Sequence, residues 1–108
     1  MSNFSDDVPP VIVEEPPPLV IFNEGEPFEL PCVASGVPEP EYYWHANGFL
    51  FDPSGTDGRV EMREGEGTLL FKNPFERDEA VYQCFAENEA GTAASVEVRL
   101  RMAGEDTP

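Results

Sequence analysis

The side chains that could carry covalent or acid–base chemistry in this chain are Cys32, Cys84 and His45, together with many carboxylates. With one histidine and no Cys-x-x-Cys pair, the two cysteines make a poor metal site. A disulfide is the better interpretation, provided that the compartment is oxidising. Closing a loop of about 50 residues gives roughly 4 kcal/mol of stabilisation. We therefore expect a Cys32–Cys84 bond, and neither a metal site nor a cofactor.

Catalytic chemistry has little to build on in this sequence. A hydroxyl nucleophile needs a neighbouring base, and the spacing places no acidic residue to orient His45. Carboxylates occur in pairs because acids are abundant, and none is predicted to be buried enough to have a raised pKa. No phosphate-binding glycine loop is present. We expect a protein that is not an enzyme and that has no catalytic residue.

The charge balance excludes several classes of partner. The formal net charge is −16, from 22 acidic and 6 basic residues. Nucleic acid, heparin-like chains and anionic membranes would be repelled, so we expect no nucleic acid and no direct membrane contact. A simpler interpretation is that the charge keeps the domain soluble. No stretch approaches the ~20 apolar residues of a membrane span, and the N-terminus does not resemble a signal peptide.

Short apolar runs alternate with turn signals along the chain, which is typical of an all-β fold. The prolines at 16–18 should interrupt the first strand, and Asn47-Gly48 predicts a type I′ hairpin turn. Residues 52–58 are predicted to form a loop. Predicted strands lie at residues 11–13, 19–22, 49–51, 60–62 and 68–72. Four further strands are predicted because apolar residues recur at every second position. They contain Phe28, Leu30, Cys32 and Ala34; Tyr42 and Trp44; Tyr82, Cys84 and Ala86; and Ala94, Val96, Val98 and Leu100.

The spacing of Cys32, Trp44, Tyr82 and Cys84 predicts an immunoglobulin-like β-sandwich, with two packed antiparallel sheets and Greek-key connections. Tyr82 lies two residues before the second cysteine, where it can form a tyrosine corner.

Arg59 and Asp78 are predicted to be a structural ion pair in this fold, since an arginine at the start of its strand can reach a carboxylate at the corner before the Cys84 strand.

The predicted domain covers residues 9–102. Residues 1–8 are expected to be disordered or added to the natural chain, and residues 103–108 to lead into a following domain. The triplet Asn3-Phe4-Ser5 fits an N-glycosylation acceptor, a short pattern that makes Asn3 a weak candidate.

An aromatic surface is the candidate binding site. If the even-numbered residues of the Trp44 and Cys84 strands point inward, then Tyr43, His45, Gln83 and Phe85 point outward, with Phe49 or Phe51 at the edge. Clustered exposed aromatic residues mark binding surfaces. The alternatives are that Arg99 and Glu87 cover Phe85, or that an adjacent domain packs there.

The chain also resembles a known family. It is similar to the first immunoglobulin domain, of the I-set type, of the neural cell-adhesion molecules that include neuroglian and neurofascin. The resemblance implies the N-terminal domain of a type I membrane receptor, located outside the cell, that binds proteins homophilically or heterophilically and contacts neighbouring immunoglobulin domains. The matching segments are residues 9–13, 36–44, 47–48, 67–69, 82–93 and 98–100.

Two other assignments share these motifs. Intracellular I-set domains of the titin, myotilin and palladin kind serve as spacers or docking modules in muscle and actin structures, and they place the domain in the cytoplasm with its cysteines reduced. A methionine start fits that assignment, whereas Cys32 with Cys84 fits adhesion. A soluble extracellular module of a matrix protein or growth-factor receptor would use the same core.

Overall fold

A computed structural model describes residues 6–104. Within this range helical structure is limited to two short 3-10 turns, Pro53–Thr56 and Glu76–Asp78, and no helix is long and apolar enough to cross a membrane. The first strand begins at Val8, one residue before the predicted domain start. The strands are β1 (Val8–Glu14), β2 (Leu19–Phe22), β3 (Phe28–Leu30), β4 (Val33–Val37), β5 (Glu41–Ala46), β6 (Phe49–Phe51), β7 (Val60–Met62), β8 (Leu69–Phe71), β9 (Ala80–Asn88), β10 (Gly91–Ala94) and β11 (Val98–Met102).

The strands form a six-stranded sheet opposite two smaller ones. The large sheet has the order β2-β11-β9-β5-β6, with β10 also paired to β9, and the smaller sheets are β3-β8-β7 and β1-β4. One pairing departs from the expected antiparallel pattern, because β2 runs parallel to β11. The prolines after β1 end its pairing with β4, and the chain then continues beside the C-terminal strand.

The core lies between the sheets and confirms the all-β sandwich. Trp44, Tyr82 and Leu100 enter it from the large sheet, and Leu30 and Phe71 enter from the opposite side. Each of these side chains is at most 3% exposed. Their burial follows from alternation, which directs every second residue of a strand toward the opposite layer.

Two predicted strands are interrupted, and both predictions need correction. The strand from Phe28 to Ala34 is split into β3 and β4 around Pro31, which has no N–H to donate. The C-terminal strand is split into β10 and β11, so the predicted alternation of Ala94, Val96, Val98 and Leu100 fails at its start, where Ala94 and Val96 are exposed and Ser95 is buried instead.

Hydrogen bonds explain the break at Ser95. Its N–H donates to the Cys84 carbonyl at 2.8 Å, and its hydroxyl oxygen accepts from the Cys84 N–H at 3.0 Å. The buried hydroxyl therefore satisfies the backbone of the disulfide strand where the regular strand pairing is lost.

Candidate functional site

A disulfide joins Cys32 and Cys84 across the sandwich, with their Cα atoms 6.5 Å apart. Both residues are fully buried. Trp44 lies beside them in the core, where its indole N–H donates to the Gly67 carbonyl at 2.6 Å and so satisfies its polar atom. The Gly67 position has no room for a side chain, since a Cβ there would lie 2.6 Å from the Tyr42 ring.

Tyr82 fastens the strand β9 to the corner that precedes it. Its hydroxyl donates to the Asp78 carbonyl at 2.7 Å, which is the bond of a tyrosine corner. The rings of Trp44, Phe51 and Phe71 meet it edge-on, at centroid distances of 6.5, 5.7 and 5.9 Å. Burial raises the pKa of Tyr82 well above its ordinary value, and the Asp78 carboxylate raises it further.

Alkaline pH is expected to reduce stability through Tyr82. In the unfolded chain this tyrosine ionises near its ordinary pKa of 10.0, whereas in the folded state it stays neutral to higher pH. The contribution of Tyr82 to the free energy of unfolding is therefore fully present below pH 10. It is lost as the pH rises toward the folded-state pKa, by up to about 1.4 kcal/mol per pH unit.

Urea denaturation between about pH 8 and 11 measures this loss. Tyr82→Phe lacks the titration and costs about 1 kcal/mol at neutral pH through the lost hydrogen bond. Its stability should consequently fall less steeply with pH than that of the wild type. Equal slopes for the two proteins would show that Tyr82 does not carry the effect.

Arg59 and Asp78 form a bidentate ion pair, with N···O distances of 2.9 and 3.1 Å. The same Asp78 carboxylate accepts the Phe75 N–H at 3.0 Å, and the guanidinium lies 4.6 Å from the centroid of the Phe75 ring. The hydrogen bond to Asp78 favours the charged guanidinium and raises the pKa of Arg59. This cluster joins the start of β7 to the corner before β9.

The predicted aromatic residues meet on the outward side of the large sheet. Tyr43 pairs with Phe85 in the register of β5 and β9, and their rings stack with centroids 5.1 Å apart at 12°. The His45 ring lies 4.7 Å from that of Phe85 and 5.7 Å from that of Tyr43. All three side chains are half-buried, because each ring covers part of its neighbours. We call the outward side of the six-stranded sheet, with Tyr43, His45, Gln83 and Phe85 at its centre, the β9 face.

Gln83 belongs to the β9 face, but its amide is held within the domain. Its Nε2 donates to the Ser95 carbonyl at 2.9 Å, next to the interruption between β10 and β11. Its cross-strand partner is His45. The amide therefore joins this part of the face to the segment between β10 and β11, and part of its hydrogen-bonding capacity is already used.

Phe49 is not on the β9 face, which corrects the sequence-based assignment. Ala46 pairs with Phe49, His45 with Leu50 and Trp44 with Phe51. Paired residues point to the same side of a sheet, so Leu50 belongs with His45, and Phe49 belongs with the core side. Phe49 is 77% exposed because it projects beyond the core at the hairpin end.

Leu50, which is 70% exposed, is an apolar residue of the β9 face that the sequence-based prediction left out. The signal was present in the chain. A two-residue turn at Asn47-Gly48 pairs the residues that flank it, and alternation from that pair assigns Leu50 to the outward side. Both turn residues have positive φ angles, 52° and 84°, as that turn requires.

The arrangement is suited to contact through its aromatic side chains. Within residues 6–104, His45 contacts the rings of Tyr43 and Phe85 and has no hydrogen-bond or ion-pair partner. No group of three or more His, Cys, Asp or Glu side chains converges there as metal ligands. Asn3, the glycosylation candidate, lies outside the described residues.

Comparison with known proteins gives consistent matches. The model of the immunoglobulin domain family matches residues 9–88. Neuroglian of Drosophila melanogaster is 42% identical over 103 residues, covering 88% of this chain and 8% of that protein. The human neural cell adhesion molecule L1 is 35% identical over 101 residues, covering 89% of this chain and 8% of that protein. The chain thus spans a small part of these relatives.

Solved structures of similar shape include immunoglobulin domains 1–4 of Sidekick-1, with a TM-score of 0.81 and 26% identity, covering 91% of this chain and 25% of that one. Another is the N-terminal Ig1-2 module of the Drosophila receptor protein tyrosine phosphatase DLAR. Its TM-score is 0.78 and its identity 32%, covering 88% of this chain and 46% of that one.

Proposed function

The chain belongs to the immunoglobulin domain family, and from this we propose that it is a recognition domain of a cell-surface adhesion protein, non-catalytic and located outside the cell. The observation that carries the proposal is the β9 face, where Tyr43, His45 and Phe85 form an aromatic cluster that is partly exposed to solvent. Aromatic side chains are enriched in protein interfaces, since they bury large areas with few rotatable bonds.

The relatives support this proposal over the intracellular alternative. Neuroglian and two proteins named as neural or neuronal cell adhesion molecules are 35–42% identical to the chain, and the cysteines form a disulfide, which persists in oxidising compartments. We further propose that the domain, residues 9–102, is the first immunoglobulin domain of a receptor of the neuroglian and neurofascin type. Residues 103–108 then lead to the next domain, and the partners are proteins, including neighbouring immunoglobulin domains.

Phe85→Ala is expected to weaken protein binding with a smaller effect on stability. The substitution removes the central ring of the β9 face, and truncating such an anchor costs about 2 kcal/mol of binding, roughly thirtyfold in affinity. The lost cross-strand stack with Tyr43 costs about 1 kcal/mol of folding stability. Phe49→Ala is the matched control, because it removes an equally large exposed ring outside the face.

The assay displays the chain, fused to a membrane anchor, on labelled non-adherent cells. These cells are mixed either with cells that display the same chain or with cultured neurons that do not. Clusters should form in at least one mixture, should be reduced by Phe85→Ala at equal surface display and should persist with Phe49→Ala. An absence of clusters in both mixtures would overturn the recognition role. If Phe49→Ala reduced the clusters and Phe85→Ala did not, the assignment of binding to the β9 face would be overturned.

A further inference from the structure

The β9 face differs in charge from the rest of this strongly acidic molecule. The whole chain carries a net charge of −16. At the outward positions of the strands in the large sheet, the charged residues are Glu41, Glu87, Arg99 and Arg101, which together are neutral, and Glu79, just before β9 and beside Arg101, adds one negative charge. An equally acidic molecule would be repelled by most of the surface and would meet little net repulsion here.

The charges on the β9 face are also separated along the strands. Glu87 pairs with Glu41 at one end, and Arg99 pairs with Val81 toward the other end. Six residue steps along β9, from Val81 to Glu87, separate these two rows, about 20 Å at the rise of a strand. The aromatic rings lie between them. Arg101 approaches Glu79 at 3.9 Å, whereas Arg99 and Glu87 have no ion-pair partner among residues 6–104.

We propose that the β9 face binds a second copy of this chain in an antiparallel, two-fold symmetric arrangement in which Glu87 of each copy pairs with Arg99 of the other. A two-fold axis lying in the interface at the level of Cys84, perpendicular to the strands, exchanges the two charged rows. It also places the Tyr43–Phe85 row of one copy over the His45–Gln83 row of the other.

The spacing of the strands permits this contact. Sheets that pack face to face lie about 10 Å apart, and neighbouring strands are about 4.8 Å apart. Arg99 on β11 therefore lies about 5 Å to the side of the partner copy's Glu87 on β9, a distance that a long, flexible side chain can span.

The size of the face predicts weak association. Five strands cover about 24 Å across and about 20 Å along, close to 500 Å² for each copy and 1,000 Å² in total. That is the lower limit for a specific interface and predicts micromolar or weaker affinity, which many copies on opposed cell surfaces would strengthen. At physiological ionic strength the Debye length is about 8 Å, so repulsion between the acidic residues outside the face is largely screened.

Sedimentation equilibrium of the full chain, at concentrations up to about 1 mM in about 0.15 M salt, tests the proposal. The wild type is expected to form dimers. Glu87→Lys places an ammonium group opposite Arg99, and Arg99→Glu places a second carboxylate opposite Glu87, so each variant alone should dimerise at least about tenfold more weakly. An equimolar mixture of the two variants restores both opposite-charge pairs and should associate within about threefold of the wild type.

Controls that match the change in net charge separate the local pairing from general repulsion. Glu24→Lys and Arg77→Glu change exposed residues outside the β9 face and should leave the dimer intact. A monomeric wild type, single variants that behave like these controls, or a mixture that fails to associate would each overturn the proposal.

This inference rests on the proposed recognition role, yet the two can fail separately. Displayed cells that cluster with neurons and not with one another would retain the role and exclude the second copy as the partner.

Discussion

Replacing Cys32 and Cys84 together by alanine is expected to lower the free energy of unfolding by about 4 kcal/mol. The bond closes a loop of sequence separation 52, and without it the unfolded chain regains the conformational freedom that this loop removes. Domains of this size are stable by roughly 5–15 kcal/mol, so the loss is a large share of the total. Both sulfur atoms are fully buried, and the cavity left beside Trp44 adds to the cost.

Urea denaturation followed by tryptophan fluorescence measures this loss through the linear dependence of stability on denaturant. Reduction of the wild type is the matched control, because it breaks the cross-link and leaves the sulfur atoms in place. The reduced wild type should be slightly more stable than the double variant, by the cavity contribution. A loss below about 1 kcal/mol in both would show that the bond adds little to the fold.

Arg59→Met is expected to cost about 3 kcal/mol of stability, the second largest effect. The side chain of Asp78 is only 7% exposed, and that of Arg59 is 24% exposed. Removing the guanidinium leaves a buried carboxylate that retains one hydrogen bond, from the Phe75 N–H. An uncompensated buried charge is far more costly than the loss of an exposed pair, and the cation–π contact with Phe75 is lost as well.

Lys72→Met is the matched control for this prediction. Lys72 and Glu61 form a shorter ion pair, at 2.7 Å, but their side chains are 52% and 50% exposed. Solvent screens that pair, and its loss should cost less than about 1 kcal/mol. Thermal and urea denaturation should show that the Arg59→Met variant is much less stable than the Lys72→Met variant. Equal losses would mean that burial does not decide the value of the Arg59–Asp78 pair.

A double-mutant cycle with Asp78→Asn isolates the pair itself. The asparagine keeps an oxygen for the Phe75 N–H and removes the charge, so Arg59→Met should cost less in that background. Additive effects of the two substitutions would indicate that Arg59 acts through packing on Phe75 alone.

Several features of the fold could be read from residue types and short spacings. Cys32, Trp44, Tyr82 and Cys84 have the spacing of one fold, and alternation around them assigned Tyr43, His45, Gln83 and Phe85 to the outward side. These predictions depend on the period of two within a strand, which is a local property of the chain.

The position of Phe49 depends on the pairing of residues across a hairpin as well as on alternation along one strand. The Asn47-Gly48 turn and the strand that follows it are both evident in the sequence, but the assignment of Phe49 leaves out the register across the hairpin. Counting that register places Leu50 on the β9 face and Phe49 on the other side. This correction was available from the sequence, because a two-residue turn fixes which residues pair.

The sequence by itself determined the sandwich, its disulfide spacing and the outward aromatic residues. Only the tertiary structure decided that the last strand breaks at Ser95 and that β2 lies parallel to β11. It also decided that Arg99 and Glu87 lie at opposite ends of the β9 face. The physical reason is that these features depend on pairing between segments distant in sequence. Such pairing is selected by the summed packing and hydrogen bonding of the whole domain, which no single stretch of residues contains.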